Sequence, residues 1–258
     1  MASLKDDQPI EEIKDSAQNA VRSERAPAPV RRYRAVLFQG TLVIVAIAFG
    51  VLTFLVKTMP SFAIDLQITR AIQVINFPLF AWLMSAISWP GFSPQSLILT
   101  GLIVLLIWGL GLHWESVTAL VAAVFETGIN LLVKDLIHRP RPTSSLVNVF
   151  SPLNSYSFPS GHVMFYVCFF GFIWFLVFSL LKPSIKRSVL LIFLGSLIVL
   201  IGASRIYLGE HWASDTLGAY LLGSLILVAI IQFYRWGKTR FFVNQPVATA
   251  ESKPPDKK

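Results

Sequence analysis

Apolar segments long enough to cross a lipid bilayer recur along this chain. A membrane-spanning helix needs about 20 mostly apolar residues, and the segments that meet this length are roughly 35–56, 94–112, 161–181, 188–206 and 214–234. Only 14% of the residues are charged, whereas typical soluble domains have about 25%. Backbone N–H and C=O groups in lipid have no water to bond, and a helix pairs them with one another. The sequence therefore predicts an all-α integral membrane protein.

A sixth span is predicted at roughly 115–136, although this segment carries polar residues. Glu126, Asn130 and Lys134 are spaced by four residues, so they share one face of a helix that can point into a bundle. We interpret Glu126 and Asn130 as interhelical hydrogen-bonding residues rather than catalysts. The resulting fold class is an integral membrane bundle of six transmembrane helices.

The region 62–90, between the first two spans, has a different pattern. Isoleucines recur at helical spacing with polar residues between them, which is typical of an amphipathic helix. The isoleucines are Ile64, Ile68, Ile72 and Ile75, and the polar residues are Asp65, Arg70 and Gln73. Pro78 and Pro90 bracket a further apolar run that is too short to cross. We expect an amphipathic interfacial helix and a re-entrant segment here.

Both ends of the chain are predicted to be disordered tails, at 1–34 and 237–258, on either side of one six-span domain at 35–236. With six spans, both tails lie on one side of the membrane, and that side carries 16 of the 22 Lys and Arg residues. They are Lys5, Lys14, Arg22, Arg25, Arg31, Arg32, Arg34, Lys182, Lys186, Arg187, Arg235, Lys238, Arg240, Lys253, Lys257 and Lys258. The positive-inside rule makes this side cytoplasmic, and we expect a plasma (inner) membrane protein. The net charge of +8 is thus explained by topology and anionic lipid headgroups, not by nucleic acid.

Three polar segments fall at the opposite, extracytoplasmic ends of the spans. They read K-D-L-I-H-R-P-R-P at 134–142, P-S-G-H at 159–162 and S-R-I-Y-L-G-E-H-W-A-S-D at 204–215. Lys134, Arg141 and Arg205 supply cations, and arginine binds phosphate through a planar fork of donors. Ser160 and Gly161 open a helix, whose N-terminus offers free N–H groups to an anion. This set predicts a site for a phosphoryl group.

Two histidines in these segments can move protons. His211 and Asp215 lie four residues apart, so the carboxylate can hold one ring nitrogen and leave the other as a nucleophile or base. His162 is then available as a general acid. Asp215 is expected to raise the pKa of His211, and the nearby cations are expected to lower it. No motif indicates a metal centre or another cofactor, and the single cysteine, Cys168, allows no disulfide within one chain.

The motifs K-x6-R-P, P-S-G-H and S-R-x5-H-x3-D resemble, in order and spacing, the signature of the type 2 phosphatidic acid phosphatase (PAP2) family, over roughly residues 60–235. The resemblance implies metal-independent dephosphorylation of a membrane lipid through a phosphohistidine. It implies that His211 attacks phosphorus, that Asp215 orients His211, and that His162 protonates the leaving oxygen. The residues implied to hold the phosphoryl oxygens are Lys134, Arg141, Ser160, Gly161 and Arg205.

The substrate is open at this point, because the motifs contact only the phosphate. Phosphatidate, phosphatidylglycerol phosphate and undecaprenyl diphosphate all fit. The rival hypothesis is a non-catalytic lipid-binding or lipid-transport protein on the same scaffold. The combination of His211, Asp215 and His162 argues against it, because transport needs no oriented nucleophile.

Overall fold

The computed structural model describes residues 28–243 except Pro60 and Pro152. Within these residues every regular element is helical. The helices are α1 (Ala28–Thr58), α2 (Ala63–Gln73), α3 (Pro78–Ser88), α4 (Gln95–Gly109), α5 (His113–Ile137), α6 (Gly161–Leu180), α7 (Ile185–Tyr207) and α8 (Ala213–Lys238). A short 3₁₀ turn, Trp89–Gly91, follows α3, and a π-helical turn, Thr239–Val243, follows α8. The predicted all-α membrane bundle is confirmed.

Helical structure extends beyond both ends of the predicted 35–236 domain. Helix α1 begins at Ala28, and the turns after α8 continue to Val243. The remainder of the two predicted tails lies outside the described residues.

The chain divides into two compact units, one ending at Val45 and the other starting at Ala46. The described part of the first unit is the beginning of α1, where apolar side chains such as Leu37 and Ile44 are exposed. No residue of the most apolar 18-residue stretch of α1 is buried, although Val56 near the end of the helix is. Such a surface is suited to a hydrocarbon environment.

The second predicted span, 94–112, is shorter than expected. Helix α4 has 15 residues, which at 1.5 Å per residue gives about 22 Å, less than the hydrocarbon thickness of about 30 Å. It is bounded by Pro94 at its start and by Gly111, which has a positive φ of 79°, after its end. Together with Pro78–Gly91 it forms a pair bent by 62°, so the described residues contain five helices able to cross a membrane, or six if the bent pair counts as one span.

Helix α6 lies at the centre of the second unit and is its most buried helix. It packs against α5, α7 and α8, and it contains a π-helical segment, Tyr166–Phe170, every residue of which is buried. A helix that is apolar all round belongs in the core. The central position of α6 fixes its N-terminus, Gly161, between the ends of its neighbours.

Helix α2 turns its polar face towards the protein. Asp65 and Thr69 are buried, whereas Ile64 is half-exposed. Arg70 donates to the carbonyl oxygen of Leu146. Gln73 donates to the carbonyl oxygen of Asn148 and accepts from its N–H, so both residues hold the long loop between α5 and α6. The predicted amphipathic helix is therefore present. Its polar residues anchor it to the bundle through hydrogen bonds.

Candidate active site

Helix α5 ends at Ile137, within the first polar segment. His138 adopts a left-handed conformation with φ of 57° and donates its N–H to the carbonyl oxygen of Lys134. Pro140 and Pro142 follow and cannot continue a helix. Lys134 therefore sits in the last turn, where its Nζ lies 2.7 Å from the carbonyl oxygen of Tyr156. His138 itself is exposed and packs edge-on against Tyr156.

Arg141 lies in the loop after α5 and reaches His211. It donates to the carbonyl oxygens of Ser155 (2.7 Å) and Glu210 (2.6 Å), and its Nη1 is 3.1 Å from His211 Nε2. A guanidinium has no acceptor, so His211 Nε2 must be the acceptor in this contact. The neutral ring then carries its proton on Nδ1. Nε2 keeps the lone pair that a nucleophile needs.

Asp215 lies on the Nδ1 side of His211, with 3.5 Å between Nδ1 and Oδ2. This is too long for a good hydrogen bond, because other groups hold the carboxylate. Its partners are the N–H of Trp212 (2.8 Å), the hydroxyl of Ser157 and the guanidinium of Arg139 (2.5 Å). Asp215 is therefore held in a fixed position beside the His211 ring, without a short hydrogen bond to it.

Arg139 and Asp65 belong to the site, and the sequence analysis did not assign either of them to it. Arg139 is fully buried and bridges two carboxylates, with Nη2 2.8 Å from Asp65 Oδ2 and Nη1 2.5 Å from Asp215 Oδ1. Asp65 also accepts from the N–H and the hydroxyl of Ser214. The available signals were a second arginine in R-P-R-P and an acidic residue on the polar face of α2.

The pKa of His211 lies well below its ordinary value. Burial is the main cause, and the charges of Arg141, Arg205 and Lys134 add to it, while a backbone contact with Ser157 acts in the opposite direction. The pKa of Arg141 is lowered to about 10, mainly by burial, so it remains charged at neutral pH. A neutral histidine beside permanent cations is suited to attack an electrophile that carries negative charge.

The second polar segment places Ser160, Gly161 and His162 at the start of α6. A side chain at Gly161 would approach Asn130 Oδ1 to 3.2 Å, so α5 and α6 pack closely at this point. The amide of Asn130 donates to Met164 Sδ of α6 and to the carbonyl oxygen of Pro159, and the first of these bonds confirms its predicted interhelical role. The ring centroid of His162 lies 4.6 Å from that of Phe92.

Arg205, near the end of α7, is fully buried. Its guanidinium pairs with Glu210 and donates to the hydroxyl of Ser88 at the end of α3. The same group lies 5.0 Å from the ring centroid of Phe92. The ring of Phe92 therefore contacts both Arg205 and His162, so the end of α7 and the start of α6 lie close together.

Several buried polar atoms in this region have no hydrogen-bond partner within the described part of the chain. They are Ser160 Oγ, His162 Nε2, Arg205 Nε and His211 Nδ1. Buried polar groups are normally paired, so their concentration around one helix N-terminus indicates a binding site.

A cavity of about 670 Å³ opens at this point. Five of the eight predicted site residues line it: Lys134, Arg141, Gly161, His162 and His211. The other three, Ser160, Arg205 and Asp215, are fully buried behind it. Among the described residues, no group of three or more His, Cys, Asp or Glu side chains is arranged to hold a metal ion.

Residues 115–238 match the model of the PAP2 superfamily. Phosphatidylglycerophosphatase B of Bacillus subtilis (strain 168) is 32% identical over 192 residues, which are 72% of this chain and 90% of the relative. This chain belongs to the PAP2 superfamily. The resemblance deduced from the three motifs is confirmed, and so is the expected enzyme class, a lipid phosphatase.

Two solved structures resemble this PAP2 chain. The crystal structure of a transmembrane PAP2-type phosphatidylglycerolphosphate phosphatase from Bacillus subtilis has a TM-score of 0.68 at 29% identity, covering 78% of this chain and 98% of the other. The crystal structure of Aquifex aeolicus LpxE has a TM-score of 0.54 at 22% identity, covering 67% and 98%. The first supports a multi-pass membrane protein of this family, and the second supports the fold.

Proposed function

We propose that this protein removes the terminal phosphate from a membrane glycerolipid phosphate, with phosphatidylglycerol phosphate as the first candidate, through a phosphohistidine at His211 and without a metal ion. The geometry of His211 carries the proposal. Its Nε2 accepts from Arg141 in a cavity that Lys134 also lines, so a lone pair is directed to where a phosphoryl group would be held.

In the first step, His211 Nε2 attacks phosphorus and forms an N–P bond while the bond from phosphorus to the ester oxygen breaks. His162 donates a proton to that departing oxygen, which leaves as an alcohol. Arg141 turns its Nη1 from the histidine to a phosphoryl oxygen, and Lys134 neutralises a second one. The free N–H groups of the first turn of α6 and the hydroxyl of Ser160 complete the contacts.

In the second step, a water molecule attacks phosphorus on the side that the alcohol has left. His162, now neutral, takes a proton from the water, the N–P bond breaks, and inorganic phosphate leaves. His211 returns to its starting form. Asp215 supports the positive charge on the phosphorylated ring, and Arg139 holds Asp215 in place.

The relative with 32% identity is named for phosphatidylglycerophosphate, which is the reason for placing this substrate first. Phosphatidate and undecaprenyl diphosphate are the substrates to be compared with it. The test is phosphate release by purified protein in detergent, with EDTA present, ranked by kcat/KM over the three lipids. A His211→Gln variant, similar in shape and unable to form the phosphohistidine, is the control. Phosphate release that requires added metal, or that the variant retains, would overturn the mechanism.

The site is proposed to face the extracytoplasmic side, with both termini in the cytoplasm. The distribution of Lys and Arg supports this orientation. A cysteine in place of exposed Ser145, in a Cys168→Ser background, should react with an impermeant thiol reagent on intact cells. A cysteine in place of Lys182, in the exposed loop between α6 and α7, should react only after permeabilisation. Labelling of the Lys182 position on intact cells, and of the Ser145 position only after permeabilisation, would show that the orientation is the opposite of the one proposed.

A further inference from the structure

The cavity continues well beyond the catalytic residues, along the seam between α4 and α5. Glu126 lines it eight residues before Lys134 on the same face of α5, which corresponds to about 12 Å along the helix. The side chain is only 3% exposed. The mechanism proposed above uses neither this carboxyl nor this part of the cavity.

Two polar atoms in the deeper part of the cavity have no hydrogen-bond partner among the residues that the structure describes. Glu126 accepts a bond from its neighbour Thr127 through Oε1, while Oε2 has none. Thr100 Oγ1, on α4, is buried and also has none, and Thr100 lines the same cavity. Glu126 was expected to bond across helices, but within the described residues the one hydrogen bond of its side chain is with the adjacent residue of α5. Two unpaired groups on facing helices indicate a ligand that supplies the missing partners.

The cavity wall contains exposed apolar side chains at the same level. Leu97 of α4 and Val124 of α5 are 70% and 64% exposed, and both line the cavity. A lipid can therefore enter between α4 and α5 and leave its chains in hydrocarbon. Its phosphate would lie at His211, and the region that joins phosphate to chains would lie near Glu126.

The chemistry of Glu126 restricts what it can bind. Within the described residues no salt bridge involves this carboxyl, and a lone charge buried in hydrocarbon is expensive. The neutral acid has one O–H donor, and the hydroxyl of Thr100 is a second donor. Two donors at this depth fit a ligand with carbonyl acceptors.

We infer that Glu126 and Thr100 hydrogen-bond the acyl ester carbonyls of a glycerolipid substrate, an inference that rests on the proposed function. In phosphatidylglycerol phosphate these carbonyls lie beyond a glycerol, a second phosphate and part of a second glycerol. They therefore reach farther from the reacting phosphorus than the carbonyls of phosphatidate do. A polyprenyl diphosphate has no acceptor at this distance, so the pair favours ester-linked glycerolipids over polyprenyl lipids.

The experiment compares diacyl phosphatidylglycerol phosphate with its dialkyl ether analogue, which lacks only the two carbonyls. For wild-type protein in detergent, kcat/KM should be about 3- to 10-fold higher for the diacyl lipid, the effect of one or two modest hydrogen bonds. Glu126→Gln keeps a donor and should keep most of this ratio. Glu126→Met fills a similar volume without a donor and should lower the ratio to the part that the hydroxyl of Thr100 supplies alone.

Thr118→Val is the matched control, because Thr118 is a buried residue of α5 that does not line the cavity. It should leave the ratio at the wild-type value. A wild-type ratio near one would overturn the inference even if every Glu126 variant failed to fold, and so would an unchanged ratio in Glu126→Met. Hydrolysis of neither lipid would overturn the proposed function itself, so the two failures are distinguishable.

Discussion

The two ends of α5 differ in whether their charged side chains are paired with an opposite charge. At the start of the helix, Glu115 accepts from the hydroxyl of Tyr234 (2.8 Å) and pairs with Lys238 (2.7 Å), so each charge has an opposite partner. At the other end, Lys134 and Arg141 donate to backbone carbonyls rather than to carboxylates. The first arrangement is complete without a ligand, whereas the second leaves an excess of positive charge.

The difference shows how to separate structural from functional charge in a membrane bundle. Burying an unbalanced charge is costly, and a protein that retains it gains by binding a counter-ion. The carboxylates near the site reduce the imbalance only in part. Arg139 pairs with both Asp65 and Asp215, and Arg205 pairs with Glu210. With Lys134 and Arg141, four cations face three carboxylates, as the proposed anion site requires.

The largest expected effect comes from removing the nucleophile. His211→Ala should lower kcat by about 10⁴-fold or more, as the loss of a covalent nucleophile does in enzymes that act through one. In wild-type protein, an alkaline quench during turnover should trap phosphate in an acid-labile, base-stable form. Normal turnover by His211→Ala, with the protein folded, would exclude the mechanism.

A smaller and more selective effect is expected for the general acid. His162→Ala should lower the rate about 10²–10⁴-fold on a lipid phosphate, whose alkoxide leaves poorly without a proton. The loss should be much smaller on p-nitrophenyl phosphate, whose leaving group needs no proton. The measurement is the ratio of the two losses. Equal losses would show that His162 binds phosphate or holds the start of α6 instead.

The unbalanced charge should also be visible in the titration of His211. Burial and the charge of Arg141 keep its pKa below the ordinary value of 6.5, so the neutral, nucleophilic form prevails at and above that pH. Arg141→Met removes one cation and should raise the pKa. Because the ring is neutral only above its pKa, the midpoint of the His211 titration should then move to higher pH. NMR of ring-labelled histidine in detergent measures this shift, with His211→Gln identifying the signal. An unchanged or lower pKa would contradict the electrostatic account.

The smallest effect on activity is expected at the balanced end. Glu115→Gln keeps an acceptor for Tyr234 and removes the pairing with Lys238, which is partly exposed. We expect a loss of about 1–2 kcal/mol in the free energy of unfolding, and kcat/KM within about twofold of wild type. Thermal unfolding in detergent and phosphate release measure the two quantities. A large loss of activity without a loss of stability would mean that this end of α5 communicates with the site.

The sequence alone determined the parts of this protein that depend on local pattern. Apolar length predicts the spans because hydrocarbon thickness sets the length of a helix that crosses it. The four-residue spacing of Glu126, Asn130 and Lys134 predicts their shared buried face, and all three are buried. The spacing of the three motifs predicts the phosphate site, and each motif contains the end or the start of a helix.

Only the tertiary structure decided which residues meet across distant elements. Asp65 of α2 and Asp215 of α8 share Arg139, and no local pattern connects positions so far apart in the chain. The bend between α3 and α4 and the unpaired groups of Thr100 and Glu126 likewise depend on how helices pack. Local sequence fixes where a helix begins and which face is polar, whereas partners for buried charges are chosen by the packing of the whole bundle.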